Sequence, residues 1–128
     1  MTVGTKIDPN WAWDDRFPLA QGIKLGNLLY ISGQVAVDPD GNIVGKGDIK
    51  AQTRKVFENI EVILRKSGGT LDNLINITTY LTDIKLFEGY NNTRAEILKD
   101  LRPTSTTVAV SGLAFEGPLV EINGVAYL

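Results

Sequence analysis

The spacing of apolar residues in the first third of the chain predicts a β-hairpin followed by a tight turn. Between Gln21 and Val37, the apolar runs Ile23 to Leu25 and Leu28 to Ser32 flank Gly26-Asn27. This dipeptide suits a short loop between two antiparallel strands. Asp38-Pro39-Asp40-Gly41 then predicts a second turn, because Asp, Pro and Gly all favour turn conformations.

A helical repeat follows the second turn. Asp48 is the predicted N-cap, because its carboxylate can accept hydrogen bonds from the free N–H groups of a first helical turn. Gly68-Gly69 is expected to end the helix, since glycine readily adopts the left-handed conformation found at helix C-termini. Apolar residues recur between these ends at spacings of three and four, which places them on one helical face. They are Ile49, Val56, Phe57, Ile60, Ile63 and Leu64.

The second half of the chain predicts three strands and one more helix. Leu74 to Leu81 is rich in β-branched residues, which is typical of a strand. A helix is predicted from about Leu86 to Leu101, and Pro103 is expected to stop it because the residue before a proline disfavours helical geometry. Thr106 to Val110 and Leu119 to Tyr127 predict two closing strands.

The element order is thus β-β-(β)-α-β-α-β-β, with an optional third strand, in a single domain over residues 1–128. Residues 1–16 are expected to form an irregular N-terminal arm whose Trp11 and Trp13 pack on the body of the domain. Two helices cover only one face of a five- or six-stranded sheet, so we expect oligomerisation to cover the other face. The side chains expected to point toward that other face are Tyr30, Ser32, Thr79, Val108 and Val110.

The composition narrows the possible functions. The 128 residues contain no cysteine and no histidine, which excludes thiol chemistry, histidine bases and most transition-metal sites. With 13 basic and 15 acidic residues, the formal net charge is −2, which gives no electrostatic reason to bind nucleic acid. No segment reaches the ~18 continuous apolar residues of a membrane span. The expectation is a cytoplasmic protein without a signal peptide, metal, cofactor or membrane partner.

Four segments, in order, resemble the RidA (YjgF) family. Gly26 to Gly45 (GNLLYISGQVAVDPDGNIVG) is similar to its glycine turn, strand, Ser-Gly-Gln and proline turn. Lys55 to Ile60 (KVFENI) is similar to its first helix. Arg102 to Val110 and Val120 to Leu128 are similar to its two closing strands. The similarity runs from about Phe17 to the C-terminus.

The resemblance implies an α+β fold of the chorismate-mutase-like type, with a mixed sheet and two helices packed on one face. It also implies a homotrimer with three equivalent clefts between subunits. Active members hydrolyse enamine or imine intermediates, such as 2-aminoacrylate, to 2-keto acids and ammonia without a metal or cofactor. In those members an arginine two positions after the proline of a closing strand clamps the substrate carboxylate, a role that suits a planar guanidinium.

Two positions depart from this family pattern. Ser105 stands two positions after the proline, where the arginine would be, so the carboxylate clamp is absent there. Leu19 stands where typical members carry a tyrosine that orients the substrate. Arg16, beside Phe17 at the entrance of the cleft, and Arg102 are candidates to supply the missing cation from another direction.

Other positions keep the residues of the family. Glu121 matches the acidic residue that positions or activates the attacking water, whereas strand alternation alone leaves a solvent-facing role open. Each further candidate also has a structural explanation. These are local hydrogen bonding for Asn91, a strand bulge at Gly33 and the β propensity of threonine for Thr106 and Thr107. The backbone N–H groups of Ser105 to Thr107 are candidates to hold an anion or a developing oxyanion. The resemblance places these further residues in the cleft: Asn91, Ser32, Gly33 and Gln34, with Thr106 and Thr107 beside Ser105.

Two functions from different classes follow. The first is a hydrolytic deaminase, in which water attacks a C=N carbon with the help of Glu121. A substrate other than 2-aminoacrylate is expected, because the arginine clamp is missing. The second is a non-catalytic trimer that binds a small metabolite in the same cleft or acts as a regulator. A ribonuclease, an older label for relatives, is disfavoured by the acidic balance and the absence of histidine.

Overall fold

The computed structural model describes residues 3–128 as one β-sheet with two helices packed against a single face. In this part of the chain, no helix is long and apolar enough to cross a membrane. The strands are β1 (Thr5–Ile7), β2 (Gly22–Leu25), β3 (Leu28–Gln34), β4 (Leu74–Leu81), β5 (Thr104–Ala109) and β6 (Val120–Tyr127), and the helices are α1 (Ile49–Lys66) and α2 (Phe87–Leu98).

The sheet is mixed, with the strand order β1-β2-β3-β6-β4-β5. β4 and β5 pair in parallel, and α2 forms the crossover that a parallel connection requires. The other four pairs of neighbouring strands are antiparallel. β6 therefore lies between β3 and β4, in the middle of the sheet. This architecture is the α+β arrangement, with both helices on one face, that the sequence predicted.

The boundaries of α1 follow from the residues at its ends. The Asp48 carboxylate accepts hydrogen bonds from the backbone N–H groups of Lys50 and Ala51, both at 3.1 Å. At the other end Gly68 has a φ of 89°, and the N–H of Gly69 donates to the carbonyl of Leu64 at 2.8 Å. The predicted N-cap and glycine C-cap are therefore confirmed.

The core lies between the helices and one face of the sheet. The buried stripe of α1 packs against the strands, and Tyr90 of α2 is fully buried beside them. Burying apolar area in this way is the main stabilising contribution to a fold of this size. The side chains that are completely inaccessible to solvent include Leu29, Val56, Ile60, Ile63, Leu64, Ile77, Leu81, Val120 and Ile122.

The N-terminal arm is more ordered than the sequence predicted. Thr5–Ile7 forms the edge strand β1 on β2, and Asp14–Arg16 forms a 3-10 turn. Trp11 is buried and stacks on Trp13 with ring centroids 5.5 Å apart, so both tryptophans pack on the body as expected. The optional strand after the hairpin is reduced to an isolated bridge between Val37 and Ile43. The sixth strand is β1, whose three residues are too short to give a sequence pattern.

The second helix ends earlier than predicted. It stops at Leu98 rather than Leu101, because Lys99 adopts a φ of 55° and leaves the helical conformation. β5 begins at Thr104 rather than Thr106, since its parallel ladder with β4 already starts there, opposite Asn76. Proline blocks a helix but does not force it to continue up to that point.

The sheet face opposite the helices carries exposed side chains, and we call it the open face. Tyr30 and Val108 lie there, 54% and 40% exposed. The prediction for Thr79 was wrong: it is fully buried and bonds to Tyr90 on the helix side. In β4, Ile77, Thr79 and Leu81 alternate inward, so Thr78 and Tyr80 point outward. Val110 follows β5 and lies outside the strand.

Candidate functional site

A cleft of about 260 Å³ lies between α2 and β5, on the helix side of the sheet. It forms where α2 ends and the chain turns back into the parallel strand. Three of its lining residues are cations and none is an acid, so we call it the cationic cleft. Its lining consists of Ile77, Asn91, Arg94, Ala95, Leu98, Lys99, Leu101, Arg102, Pro103 and Ser105.

Arg94 occupies the space beside the position at which the family arginine is missing. Its Nη1 donates to Oγ of Ser105 at 2.8 Å and to the hydroxyl oxygen of Tyr90 at 3.1 Å. Its Nε donates to Oδ1 of Asn91 at 3.0 Å. The guanidinium carbon also lies 4.8 Å from the centroid of the Tyr90 ring, within range of a cation–π interaction. Four contacts therefore fix the orientation of this guanidinium.

Tyr90 connects the cleft to the core. Its ring is fully buried, and its hydroxyl forms a hydrogen bond with Oγ1 of Thr79 on β4 while it accepts one from Arg94. A buried hydroxyl needs such partners, because an unsatisfied one costs its full desolvation energy. The position of Arg94 is therefore tied to the central sheet and not only to α2.

Arg102 and Lys99 form the outer rim of the cleft. Nη1 of Arg102 donates to the carbonyls of Lys99 at 2.6 Å and Leu101 at 3.0 Å. The left-handed φ of Lys99 belongs to the turn that presents these carbonyls. Arg102, a candidate for the missing clamp, thus lines the same cleft as Ser105, but its bonds go to the backbone rather than to Ser105.

Glu121 lies on the open face, on the other side of the sheet from this cleft. It pairs with Tyr80, which points outward because Thr79 and Leu81 on either side of it are buried. Its carboxylate is half-buried, and desolvation by that burial raises its pKa above the ordinary value. A group of this kind is protonated more readily than a solvated glutamate.

Gly33 leaves room for Glu121. A Cβ atom at position 33 would lie 2.7 Å from Cδ of Glu121, which no real side chain tolerates without a shift. Gly33 sits where the pairing of β3 with β6 shifts between Ile31 and Gln34, as expected of a glycine at a bulge. The glycine and the acid predicted to share a cleft are therefore direct neighbours.

The sheet separates Ser105 from Glu121 within one chain. Ser105 pairs with the fully buried Ile77 and faces the helices, whereas Glu121 faces outward with Tyr80. A site that uses both residues therefore cannot form within one chain. The pairing register, which sets the face of each residue, is not visible in sequence.

Other candidate residues divide between the two faces. Thr106 pairs with the outward-pointing Thr78, and Thr107 pairs with the inward-pointing Thr79. Asn91 lies in the cationic cleft with Ser105. Asn123, next but one to Glu121, has a buried Oδ1 that accepts no hydrogen bond from residues 3–128.

The segment before β2 lies away from the cationic cleft. Arg16, Phe17 and Leu19 are exposed, and Phe17 contacts Trp13 edge-to-face at 5.9 Å. Oγ of Ser32 donates to the carbonyl of Ala20 at 2.6 Å, which ties this segment to the strand that carries Gly33. Arg16 therefore does not replace the missing clamp within its own chain.

Gln34 has a structural role. Its Nε2 donates to Oε1 of Gln21 at 2.7 Å, and Nε2 of Gln21 donates to the buried Asp14 carboxylate at 2.7 Å. This buried chain of side chains fastens the 3-10 turn to β3. The side-chain amide of Gln34 is therefore bonded within the core and does not point toward a ligand.

Arg94 is the residue that the sequence analysis missed. A signal was present, because Tyr90, Asn91 and Arg94 are spaced three and four apart, which places them on one face of a helix. Without a structure nothing indicated that this face meets position 105. Helix α2 alone does not show whether Arg94 points to solvent or to β5.

These features define a small α+β protein with a cationic cleft on the helix side of its sheet and a half-buried acid on the open face. The sequence profile of the family described as Endoribonuclease L-PSP matches residues 12–128. The chain belongs to this family, which is the RidA (YjgF) family.

Individual relatives agree with this assignment. A RutC family protein of Pyrococcus horikoshii is 43% identical over 110 residues, which is 86% of each chain. The structure of YyfA from Yersinia pestis, described as a protein of unknown function of the Rid family, is 35% identical with a TM-score of 0.89 and covers 97% of this chain and 98% of its own. The structure of Escherichia coli TdcF with bound serine is 28% identical with a TM-score of 0.81 and covers 88% of this chain and 89% of its own.

Proposed function

We propose that this protein is a hydrolytic deaminase of imines and enamines that works without a metal or cofactor. The observation that carries the proposal is the state of Glu121. Its carboxylate is half-buried, its pKa is raised by that burial, and none of the ion pairs within residues 3–128 involves it. A raised pKa makes this carboxylate a stronger base than a solvated glutamate. Membership of the family supports the same chemistry.

In the proposed reaction, Glu121 accepts a proton from water as the oxygen attacks the C=N carbon. The proton held by Glu121 goes to the nitrogen, which gives a neutral carbinolamine. The hydroxyl proton of the carbinolamine then passes through Glu121 to the nitrogen as the C–N bond breaks and the C=O bond forms. The products are ammonia and a carbonyl compound, so one water is consumed for each C=N bond. An enamine first takes up a proton on carbon and releases one from nitrogen to become the imine. The substrate is expected to differ from 2-aminoacrylate, because Ser105 replaces the strand arginine.

The complete site is proposed to lie between subunits of a homotrimer. Two observations support this arrangement. The sheet separates Ser105 from Glu121 in one chain, so a site that uses both needs two chains. The open face exposes Tyr30 and Val108, apolar side chains that a neighbouring subunit would cover. The cationic cleft of one chain would then meet the Glu121 face of the next.

The proposed activity is tested by ammonia release. Imino acids are generated in the assay by an amino-acid oxidase, and the rate of ammonia formation is compared with and without this protein. Glu121→Gln keeps the shape of the side chain and removes the base, so the rate is expected to fall by roughly a hundredfold or more. Glu58→Gln is the matched control, because Glu58 is an exposed acid on α1.

The results separate the two classes of function. Acceleration by the wild type and by Glu58→Gln, but not by Glu121→Gln, supports the deaminase. No acceleration across several imino acids ends that proposal.

The alternative function is a non-catalytic trimer that binds a small metabolite. It is favoured by the cleft itself, in which Arg94 and Ser105 form a polar site while the acid lies on the other face of the sheet. TdcF carries bound serine, which supports small-molecule binding here. A thermal shift with a 2-keto acid, without turnover of any imine, would favour this class.

Two further expectations belong to the proposal. An endoribonuclease activity, as the family description suggests, is not favoured, because the chain has a net charge of −2 and no histidine to supply an imidazole base. A cytoplasmic location remains the expectation from the sequence.

A further inference from the structure

The cations of the cleft have no acidic partners among the described residues. Within residues 3–128, the ion pairs are Arg54 with Glu96, Lys55 with Glu58 and Arg65 with Glu61. Arg94, Lys99 and Arg102 all line the cleft, and none of them belongs to an ion pair in the described part of the chain. A guanidinium that is partly buried without a counter-ion attracts an anion more strongly than a solvated one does.

From this arrangement we propose that Arg94 is the carboxylate-binding residue of this protein and replaces, from helix α2, the cation that strand β5 lacks at Ser105. The inference rests on the proposed function and names the residue that selects an acidic substrate. In space, the guanidinium stands next to position 105, with Nη1 2.8 Å from Oγ of Ser105. The cation is thus carried by helix α2 in this chain, but it lies beside the strand position that the family arginine would occupy.

The hydrogen bonds of Arg94 show how a carboxylate would bind. The N–H of Nε is taken by Asn91, and the two of Nη1 are taken by Tyr90 and Ser105. Between residues 3 and 128, no group accepts a hydrogen bond from Nη2. A bidentate carboxylate needs N–H groups on two nitrogens, so it takes Nη2 together with the Nη1 bond that Ser105 now accepts. Ser105 is exposed and its hydroxyl can rotate away, whereas Tyr90 is fixed in the core.

Ser105 is therefore a positioning residue. It holds the guanidinium in place until the ligand arrives and then gives up its bond. A purely structural role for Arg94 would be to pin α2 to β5, and it predicts a different result. In that case, removal of Arg94 lowers the stability of the protein and leaves the affinity for carboxylates unchanged.

The test measures binding by calorimetry with two probes, 2-oxobutanoate and its neutral analogue 2-oxobutanamide. The wild type is expected to prefer the acid by at least roughly tenfold, since charge-assisted hydrogen bonds are the stronger ones. Arg94→Met is expected to weaken binding of the acid by roughly tenfold to a hundredfold and to leave the amide unchanged. Arg54→Met is the matched control, because Arg54 is an exposed arginine outside the cleft.

A rescue variant distinguishes the site from the fold. In the Arg94→Met background, Ser105→Arg returns a guanidinium to the same cleft from the strand, so affinity for the acid is expected to recover to within roughly tenfold of the wild type. The melting temperature of each variant is measured alongside. If Arg94→Met does not fold, Arg94→Gln takes its place, because its amide can still bond to Ser105.

The outcomes keep this inference separate from the proposed reaction. Undiminished preference for the acid in a folded Arg94→Met or Arg94→Gln variant overturns the inference, as does a wild type that binds acid and amide equally. Loss of acid binding together with no ammonia release by the wild type supports Arg94 as the anion site and ends the deaminase proposal. Equal ammonia release by the wild type and by the variant overturns the inference about Arg94 and supports the deaminase proposal.

Discussion

Gly33 and Glu121 are packed so closely that the glycine has no room for a side chain: a Cβ atom there would lie 2.7 Å from Cδ and 2.9 Å from Oε2 of the glutamate. The two residues come from neighbouring strands, β3 and β6, and meet at the bulge of β3. The carboxylate therefore owes its position to the absence of a methyl group. This relationship makes Gly33 a direct probe of Glu121.

Gly33→Ala should leave the protein folded and reduce its activity. The atoms that a new methyl group meets belong to the flexible end of Glu121, which can move aside, and the backbone of Gly33 does not have a left-handed φ. A displacement of about 1 Å in a catalytic group lowers kcat/KM by roughly tenfold to a hundredfold. Ammonia release and circular dichroism check the two parts of the prediction. Gly112→Ala, where a Cβ would meet no atom within 4 Å, should behave as the wild type.

The raised pKa of Glu121 contributes to the pH dependence of stability. In the interval between the ordinary pKa of a glutamate and the raised one, the folded protein holds a proton that the unfolded chain has released. Stability therefore falls as pH rises through that interval. We expect Glu121→Gln to be more stable than the wild type above the raised pKa and equal to it below the ordinary value. Urea unfolding at a series of pH values, in one oligomeric state, measures the difference, and an unchanged difference across the series would contradict it.

The activity should follow the same group in the opposite sense. Glu121 acts as a base only when deprotonated, so the rate is expected to decline with falling pH, starting at a higher pH than for a solvated glutamate.

Asp38 affects stability in the opposite direction to Glu121. Backbone N–H groups of Asn42 and Asp40 bond to its carboxylate and hold its pKa below the ordinary value. The stability that Asp38 adds is present above its ordinary pKa and is lost as pH falls through the lowered one.

Tyr90→Phe should destabilise the protein by about 1–3 kcal/mol, because it removes a partner from the buried hydroxyl of Thr79. It also removes one of the acceptors that orient Arg94, so affinity for 2-oxobutanoate is expected to fall modestly. Urea titration and calorimetry measure the two effects. Tyr127→Phe is the matched control, since among residues 3–128 its exposed hydroxyl bonds only to Asn27, and its cost should stay within about 0.5 kcal/mol.

Val108→Glu should prevent assembly. Val108 points outward beside Tyr80, on the face proposed to contact a neighbouring subunit. A charge buried at such a contact costs more than the association gains, so the mass in solution is expected to fall about threefold, from trimer to monomer. Sedimentation measures the mass. Ile84→Glu, at an exposed residue in the turn before α2, should leave it unchanged, and a trimer that survives Val108→Glu would refute the proposed interface.

The sequence predicted the elements of the fold where local chemistry decides them. Asp48 and Gly68 correctly predict the two ends of α1. The β-branched run from Leu74 to Leu81 matches β4 at both ends. The sequence-based prediction failed where tertiary contacts determine the end of an element. Lys99 ends α2 through a left-handed conformation that its side chain does not favour.

The candidate site was predictable only in part. Family resemblance located Glu121, Gly33 and Ser105 as positions of interest, and Glu121 and Gly33 do meet. The face on which each residue lies depends on register, and Thr78 and Thr79 are identical residues with opposite orientations. The bond from Arg94 to Ser105 joins a helix to the strand that follows it, and no local rule predicts it.

The position of β6 between β3 and β4 constrains how the chain folds during synthesis. Until this strand emerges from the ribosome, the inner edges of β3 and β4 expose unpaired backbone groups, and such edges are prone to join other chains. The nascent chain consequently carries two unpaired inner edges until Val120–Tyr127 has been synthesised. Pairing with other chains is therefore most favoured before β6 has taken its place between these two edges.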